Sequence, residues 1–311
     1  MKLLQEILSK AREIGASDLH LTANEFVTFR INGMLQKSKL LFTTEQINKF
    51  VRELLIEEHY ARLQQGLEID CAYVDNLEHS YRVNVFKSFG KFVVAIRVIN
   101  STVPTCEELS LPEEVCSLAN LKQGLVLVCG ATGSGKSTTL AALINKINCE
   151  RSVHIVTLED PIEYRHVNRQ ALIHQREVAS DTASFVTGLR SALRQDHDVI
   201  LVGELRDKET TAAALNAAET GHLVFATLHS REATGAINRI LDMFDEGRNL
   251  VCNQLANVLE GIVCQELVTR VDGSGRKANF EVLLASPALR SLIREGRSHQ
   301  INGYQMLKYY K

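Results

Sequence analysis

Apolar side chains recur along this chain with two periods, and the order of those periods divides it in two. Leu3, Leu4, Ile7, Leu8, Ala11 and Ile14 fall three and four apart, the stripe of a helix that faces a core. Residues 17–22 and 27–32 then alternate as half-buried strands do, and Asn32-Gly33 predicts a tight turn. Thr43, with Gln46 three positions on, predicts a capping box that opens a helix. Residues 67–74, 81–88 and 91–99 have strand patterns, the last two joined by a turn containing Gly90. Residues 1–100 therefore read as a small α+β domain. Two prolines and several small polar residues then break the pattern, which makes 101–112 a linker and 113–311 a second domain. There, short apolar runs at 125–129, 154–158, 199–202 and 223–227 alternate with helical stretches. That alternation predicts an α/β fold built on a central, mostly parallel sheet with helices on both faces. Val251, Leu255, Val258, Leu259, Ile262 and Val263 form a further apolar face, expected to be core rather than a subunit contact.

Composition narrows the picture. The 311 residues suffice for two domains. A 45% hydrophobic, 23% charged chain is globular and not disordered. The formal net charge of -2 shows no basic excess, so no nucleic-acid partner is expected. No apolar run approaches the ~18 residues that would suggest a bilayer span. The amino-terminal stretch has charges spread through it and does not read as a signal peptide. A cytoplasmic protein without a membrane span is the expectation. The seven cysteines are odd in number and include no CxxC pair, which favours reduced thiols over a disulfide framework or a zinc site.

The chemistry concentrates in the second domain. Gly130-Ala131-Thr132-Gly133-Ser134-Gly135-Lys136-Ser137-Thr138 fits the phosphate-binding pattern GxxxxGK[ST], with a buried-type strand before it and a helix after it. Its glycines let backbone N–H groups turn towards phosphates, and the helix start adds positive potential. Lys136 supplies a cation to the β- and γ-phosphates, and the Ser137 hydroxyl is placed to ligate Mg²⁺. Hydrolysis also needs a carboxylate near the metal and a group that orients water. The strand at 199–202 runs into Glu204, a candidate metal-supporting acid with Ser137. The strand at 154–158 runs into Glu159, followed by Glu163. Ligands gather at the carboxyl ends of parallel strands, so both strands should deliver acid to one rim. Position at the strand end favours Glu159 over Glu163 as the water activator, without deciding between them. His222 and His229 flank the strand at 223–228 and are candidates for sensing or hydrogen-bonding a phosphate.

These blocks, with Ala16-Ser17-Asp18-Leu19-His20-Leu21, His174-Gln175-Arg176-Glu177-Val178 and Leu193-Arg194-Gln195-Asp196, resemble the type IV pilus retraction ATPases, the PilT type, within the type II/IV secretion ATPase superfamily. The resemblance implies a PAS-like amino-terminal domain before a RecA-like ATPase domain, with Mg-ATP held between the domains of a homohexamer. It implies that Glu204 is the Walker B acid. It implies that the acid block carries the water-activating glutamate, that His222 and His229 form a histidine box, and that Arg82 and Arg97 reach the γ-phosphate. It further implies twitching motility as the process and an inner-membrane platform protein of a pilus or secretion machine as the partner, with the ring peripheral at the inner face of the cytoplasmic membrane. The lack of CxxC pairs and the stretch Ala288-Leu289-Arg290-Ser291-Leu292-Ile293-Arg294-Glu295 lean towards retraction. The alternatives are an assembly, secretion or accessory ATPase of the same superfamily and, in another class, a ring protein that binds nucleotide as a switch without hydrolysing it.

Overall fold

The computed structural model describes residues 2–77, 79–99, 102–244, 246–269, 276–303 and 307–309. It comprises two compact units, Met1–Ser101 and Thr102–Lys311. In the first, α1 (Lys2–Glu13) precedes β1 (Asp18–Thr22), β2 (Glu25–Ile31), β3 (Met34–Phe42), α2 (Thr44–Leu54), α3 (Glu57–Gln64), β4 (Ile69–Val74), β5 (Ser80–Ser88) and β6 (Lys91–Val98). The strands form an antiparallel sheet in the order β3-β2-β1-β6-β5-β4. The α1 stripe is core: Leu4, Ile7, Leu8 and Ala11 are all buried. The capping box at Thr43 forms with both of its hydrogen bonds. Asn32 and Gly33 both take positive φ, 50° and 84°, as a type I′ turn requires. The sequence pattern missed β3. It is an edge strand, mostly exposed, and its run Met-Leu-Gln-Lys-Ser-Lys-Leu-Leu has no alternation to read.

The second unit contains α4 (Glu113–Ser117), β7 (Gly124–Cys129), α5 (Lys136–Glu150), β8 (His154–Glu159), β9 (Leu172–Glu177), α6 (Phe185–Ala192), β10 (Val199–Val202), α7 (Lys208–Glu219) and β11 (Leu223–Leu228). It continues with α8 (Ala233–Asp242), α9 (Arg248–Val258), β12 (Leu259–Thr269), β13 (Arg276–Leu284), α10 (Pro287–Arg294) and β14 (Leu307–Tyr309). One eight-stranded sheet runs β14-β13-β12-β7-β11-β10-β8-β9. From β12 to β9 every neighbouring pair is parallel; β13 and β14 close one edge antiparallel. Successive side chains of β7 enter opposite cores. Leu125, Leu127 and Cys129 join the cluster containing α7, α8 and α9 residues, while Val126 and Val128 join the one containing α5 residues. Burial on both faces explains why these strands read as unbroken apolar runs. The observed class is α/β, an α+β unit followed by a unit with a central, mostly parallel sheet.

One expectation is corrected and another gains detail. The stretch read as a linker is not loose: from Thr102 it belongs to the second unit, and Cys106 is buried in the α5-side core with Leu109 and Leu111 packed against it. The apolar face from Val251 to Val263 is core throughout, but it is not one element. Helix α9 ends at Val258 and the chain runs directly on as β12, because Ile262 and Val263 pair with Leu127 and Val128 of β7. Leu289 and Ile293 of α10 bury into the same core. Among the described residues no helix is long and apolar enough to cross a membrane.

Candidate nucleotide site

Parallel pairing brings the carboxyl ends of β7, β11, β10 and β8 to one rim, and the loop after β7 rises from it. Glycine is required there. Gly130, Gly133 and Gly135 have φ of 151°, 76° and 90°. A Cβ on Gly130 would lie 2.4 Å from the Gln265 carbonyl oxygen and 2.4 Å from Ser134 Oγ, and one on Gly135 would lie 2.7 Å from Gln265 Nε2. Gln265 also accepts from Thr139 Oγ1 at 2.7 Å, so β12 braces the start of α5. Lys136 is buried under the loop and donates to the Gly130 and Ala131 carbonyls at 2.8 and 2.9 Å. Burial lowers its pKa, and Glu204 and Glu163 oppose that shift, so both acids act on this ammonium. Ser134 Oγ is buried without a partner. Thr132, Gly133, Lys136 and Ser137 line a cleft of about 280 Å³. Thr138 Oγ1 lies 3.0 Å from the Tyr164 hydroxyl. A loop that only glycine can follow, a buried lysine, an orphaned hydroxyl and the start of a 15-residue helix fit a triphosphate, and a hydroxyl and a carboxylate lining one cleft, Ser137 and Glu204, are donors that suit Mg²⁺.

Glu204 stands on this rim because Gly203 ends β10 with close backbone contacts. The Gly203 N–H donates to the Leu158 carbonyl at 2.7 Å, and its own carbonyl accepts from Thr227 Oγ1. Arg206 Nε donates to Glu204 Oε2 at 2.5 Å, and His229 Nε2 lies 3.2 Å from Glu204 Oε1. Arg206 also reaches Asp160, at 3.5 Å.

The two glutamates of the acid block differ in environment. Glu159 Oε1 accepts from Thr157 Oγ1 at 2.6 Å and from Gln175 Nε2 at 3.2 Å, and Glu159 also accepts the Glu163 backbone N–H. Burial pushes Glu159 up to about 7 against those donors. Glu163 is exposed on the cleft wall. His166 shares that wall; its Nδ1 is enclosed without a partner, and burial pushes it down to about 4.

The structure gathers Glu159, Glu163, Glu204 and His229 around the P-loop, but not His222. Strand β11 runs parallel to β7 with Leu223 opposite Gly124 and Leu228 opposite Cys129, so the residue before it lies at the opposite rim. At ~3.3 Å per residue, that six-residue strand separates His222 from His229 by roughly 20 Å. His222 Nδ1 sits 2.9 Å from the Ala217 carbonyl, and its ring stacks on His197 at 4.6 Å. Arg82 and Arg97 face each other across β5 and β6. Arg82 pairs with Asp70 at 2.5 Å and Arg97 with Asp18 at 2.9 Å. Sequence reasoning gave no role to Arg206, Thr157 or Gln175. The signal for Thr157 was its place two residues before Glu159, on the same side of β8.

Comparison with known proteins agrees with this geometry. The family model for Type II/IV secretion system proteins matches residues 1–306, and the chain belongs to that family. It is 44% identical over 275 residues to a twitching motility protein of Neisseria gonorrhoeae, covering 88% of this chain and 74% of that one. It is 40% identical over 300 residues to the type IV pilus retractation ATPase PilT of Pseudomonas aeruginosa, covering 96% and 87%. The crystal structure of the pilus retraction motor PilT with bound ADP matches with a TM-score of 0.90 at 42% identity, over 96% of this chain and 87% of that one.

Proposed function

We propose that this chain is the subunit of a hexameric ATPase motor that hydrolyses Mg-ATP to power type IV pilus retraction, and hence twitching motility. The observation that carries the reading is the single rim on which Lys136, Glu204 and Glu163 converge beneath a glycine loop. Relatives named for twitching motility and pilus retraction, similar over most of their length, supply the process. The amino-terminal unit corresponds to the PAS-like domain of such ATPases and the second unit to the RecA-like domain.

Gly130, Thr132, Gly133, Ser134, Gly135, Lys136, Ser137 and Thr138 hold the nucleotide phosphates. Ser137 and Glu204 hold Mg²⁺, which when bound neutralises charge on the β- and γ-phosphate oxygens. Arg206 and His229 fix the Glu204 carboxylate in orientation. Glu163 is the residue that takes the proton from the attacking water. Glu159 has its lone pairs engaged by Thr157, Gln175 and the Glu163 amide, and a carboxylate whose oxygens are already occupied suits a brace better than a base. That reverses the preference read from strand position alone. Arg82 and Arg97 supply cations to the transferring phosphate. The ring works against a platform protein at the inner face of the cytoplasmic membrane.

Deleting the gene in its host tests the process. Cells should stay piliated and lose retraction, with rescue by the wild-type chain and none by Glu204→Gln. Loss of the pili themselves would point to assembly instead.

A further inference from the structure

The loop at 160–166, which carries Glu163, follows β8 and forms no strand of its own, with a single bridge residue at Tyr164. Side chains hold much of its backbone. From β9, Gln175 Nε2 donates to the Tyr164 carbonyl at 2.8 Å, and Gln175 Oε1 accepts the His166 N–H at 2.8 Å. Glu177 Oε2 accepts the Ile162 N–H at 3.1 Å, and Glu159 accepts the N–H of Glu163 itself. The same Gln175 amide nitrogen donates to Glu159 Oε1 at 3.2 Å. One carboxamide thus clamps the loop two residues at a time and ties it to the buried end of β8. Tyr164, held by this clamp, touches Thr138 at the start of α5.

We propose that Gln175 is the positioning residue of the site: its carboxamide holds the acid loop against Glu159 so that the Glu163 carboxylate faces the P-loop. The inference rests on the reading that Glu163 activates water. The chemistry needs an amide, because the contacts include two acceptors and one donor. Leucine loses all three contacts. Glutamate keeps the reach but cannot donate when ionised, and it sets a carboxylate against Glu159 and the Tyr164 carbonyl. The titratable groups around this point are Glu159 on β8, Glu163 and His166 in the loop, Asp160 before them and Glu177 on β9, with Lys136 and Glu204 in the same cleft.

The test is steady-state ATP turnover of the full-length protein across pH 5.5–8.5, with Gln175→Leu and Gln175→Glu beside the wild type. Gln175→Leu should lower kcat on the order of 30-fold while KM for ATP stays within about threefold, since the loop, not the phosphate cradle, is released. Gln175→Glu should be similarly weak at pH 8 and regain about 10-fold at pH 6, where the two carboxylates share a proton and a donor is restored. The wild type should show no such gain on acidification. A Gln175→Glu profile parallel to that of the wild type, or equal losses in kcat and affinity for Gln175→Leu, would overturn the inference. Glu163→Gln separates the two layers. If it turns over ATP normally, the assignment of Glu163 falls; if it is dead while Gln175→Leu is wild-type, only the clamp falls.

Discussion

The two rims of the parallel sheet carry the same kinds of residue and do different things with them. At the carboxyl rim, acids, a lysine and His229 converge on one cleft, with Lys136 buried among carbonyls and carboxylates. Towards the amino rim, histidines meet in two pairs, His154 with His174 of β9 and His197 with His222. His154 Nε2 lies 2.8 Å from His174 Nδ1, and His197 stacks on His222. Strand direction sorts them. A parallel sheet sends every strand end to one side, so a residue after a strand joins the site and a residue before it cannot. The rims also titrate in opposite senses. Burial pushes Glu159 up to about 7 at the first and His197 down to about 4 at the second.

Substitutions can sharpen or break this contrast. The largest effect belongs to the carboxyl rim: Glu163→Gln should cut ATP turnover ~10³-fold or more while leaving nucleotide affinity nearly unchanged, read by single-turnover kinetics and a binding titration. Arg82→Ala or Arg97→Ala should each cost on the order of 10²-fold in turnover, with the fold checked by circular dichroism. A turnover rate unaffected by both would remove these arginines from the mechanism. His229→Ala frees Glu204 of one partner and should cost about 10-fold in kcat. His222→Gln, at the other rim, should leave kcat within about twofold and lower stability by about 1 kcal/mol through lost stacking and packing; a loss as large as that of His229→Ala would erase the distinction between rims.

The contrast also extends to the dependence of stability on pH. His197 is held neutral in the fold, so its contribution is present above its ordinary value near 6.5 and lost as pH falls towards 4. Glu159 runs the other way: its contribution is present below 4.5 and lost as pH rises through about 7. Denaturant melts at pH 5 and pH 8 should therefore show His197→Gln less acid-sensitive than the wild type, and Glu159→Gln less alkali-sensitive, each by about 1–2 kcal/mol.

The glycine loop, the acid that follows β10 onto the cleft and the division into an α+β and a parallel α/β part were legible because each leaves a local mark: fixed spacing, an apolar run ending in an acid, or a change of period. The placement of His222 was not read correctly, because two histidines bracketing one strand look equivalent until strand polarity assigns them to opposite rims. The different environments of Glu159 and Glu163 were hidden in part. Thr157 stands two residues before Glu159 on the same strand, but the contact of Gln175 with Glu159 exists only once β8 and β9 pair. Strand β12 was missed because Val258, Leu259, Ile262 and Val263 suit either a helix face or a strand buried on both sides.

The central claim is that the carboxyl rim grips a metal-bound triphosphate through Lys136 and the loop amides. Calorimetric titration of the purified protein with Mg-ATP measures this directly. The account predicts saturable binding that weakens at least ~10²-fold in Lys136→Ala while the melting temperature of the ligand-free protein holds. Equal affinity in the two proteins, or no binding by the wild type, would contradict it.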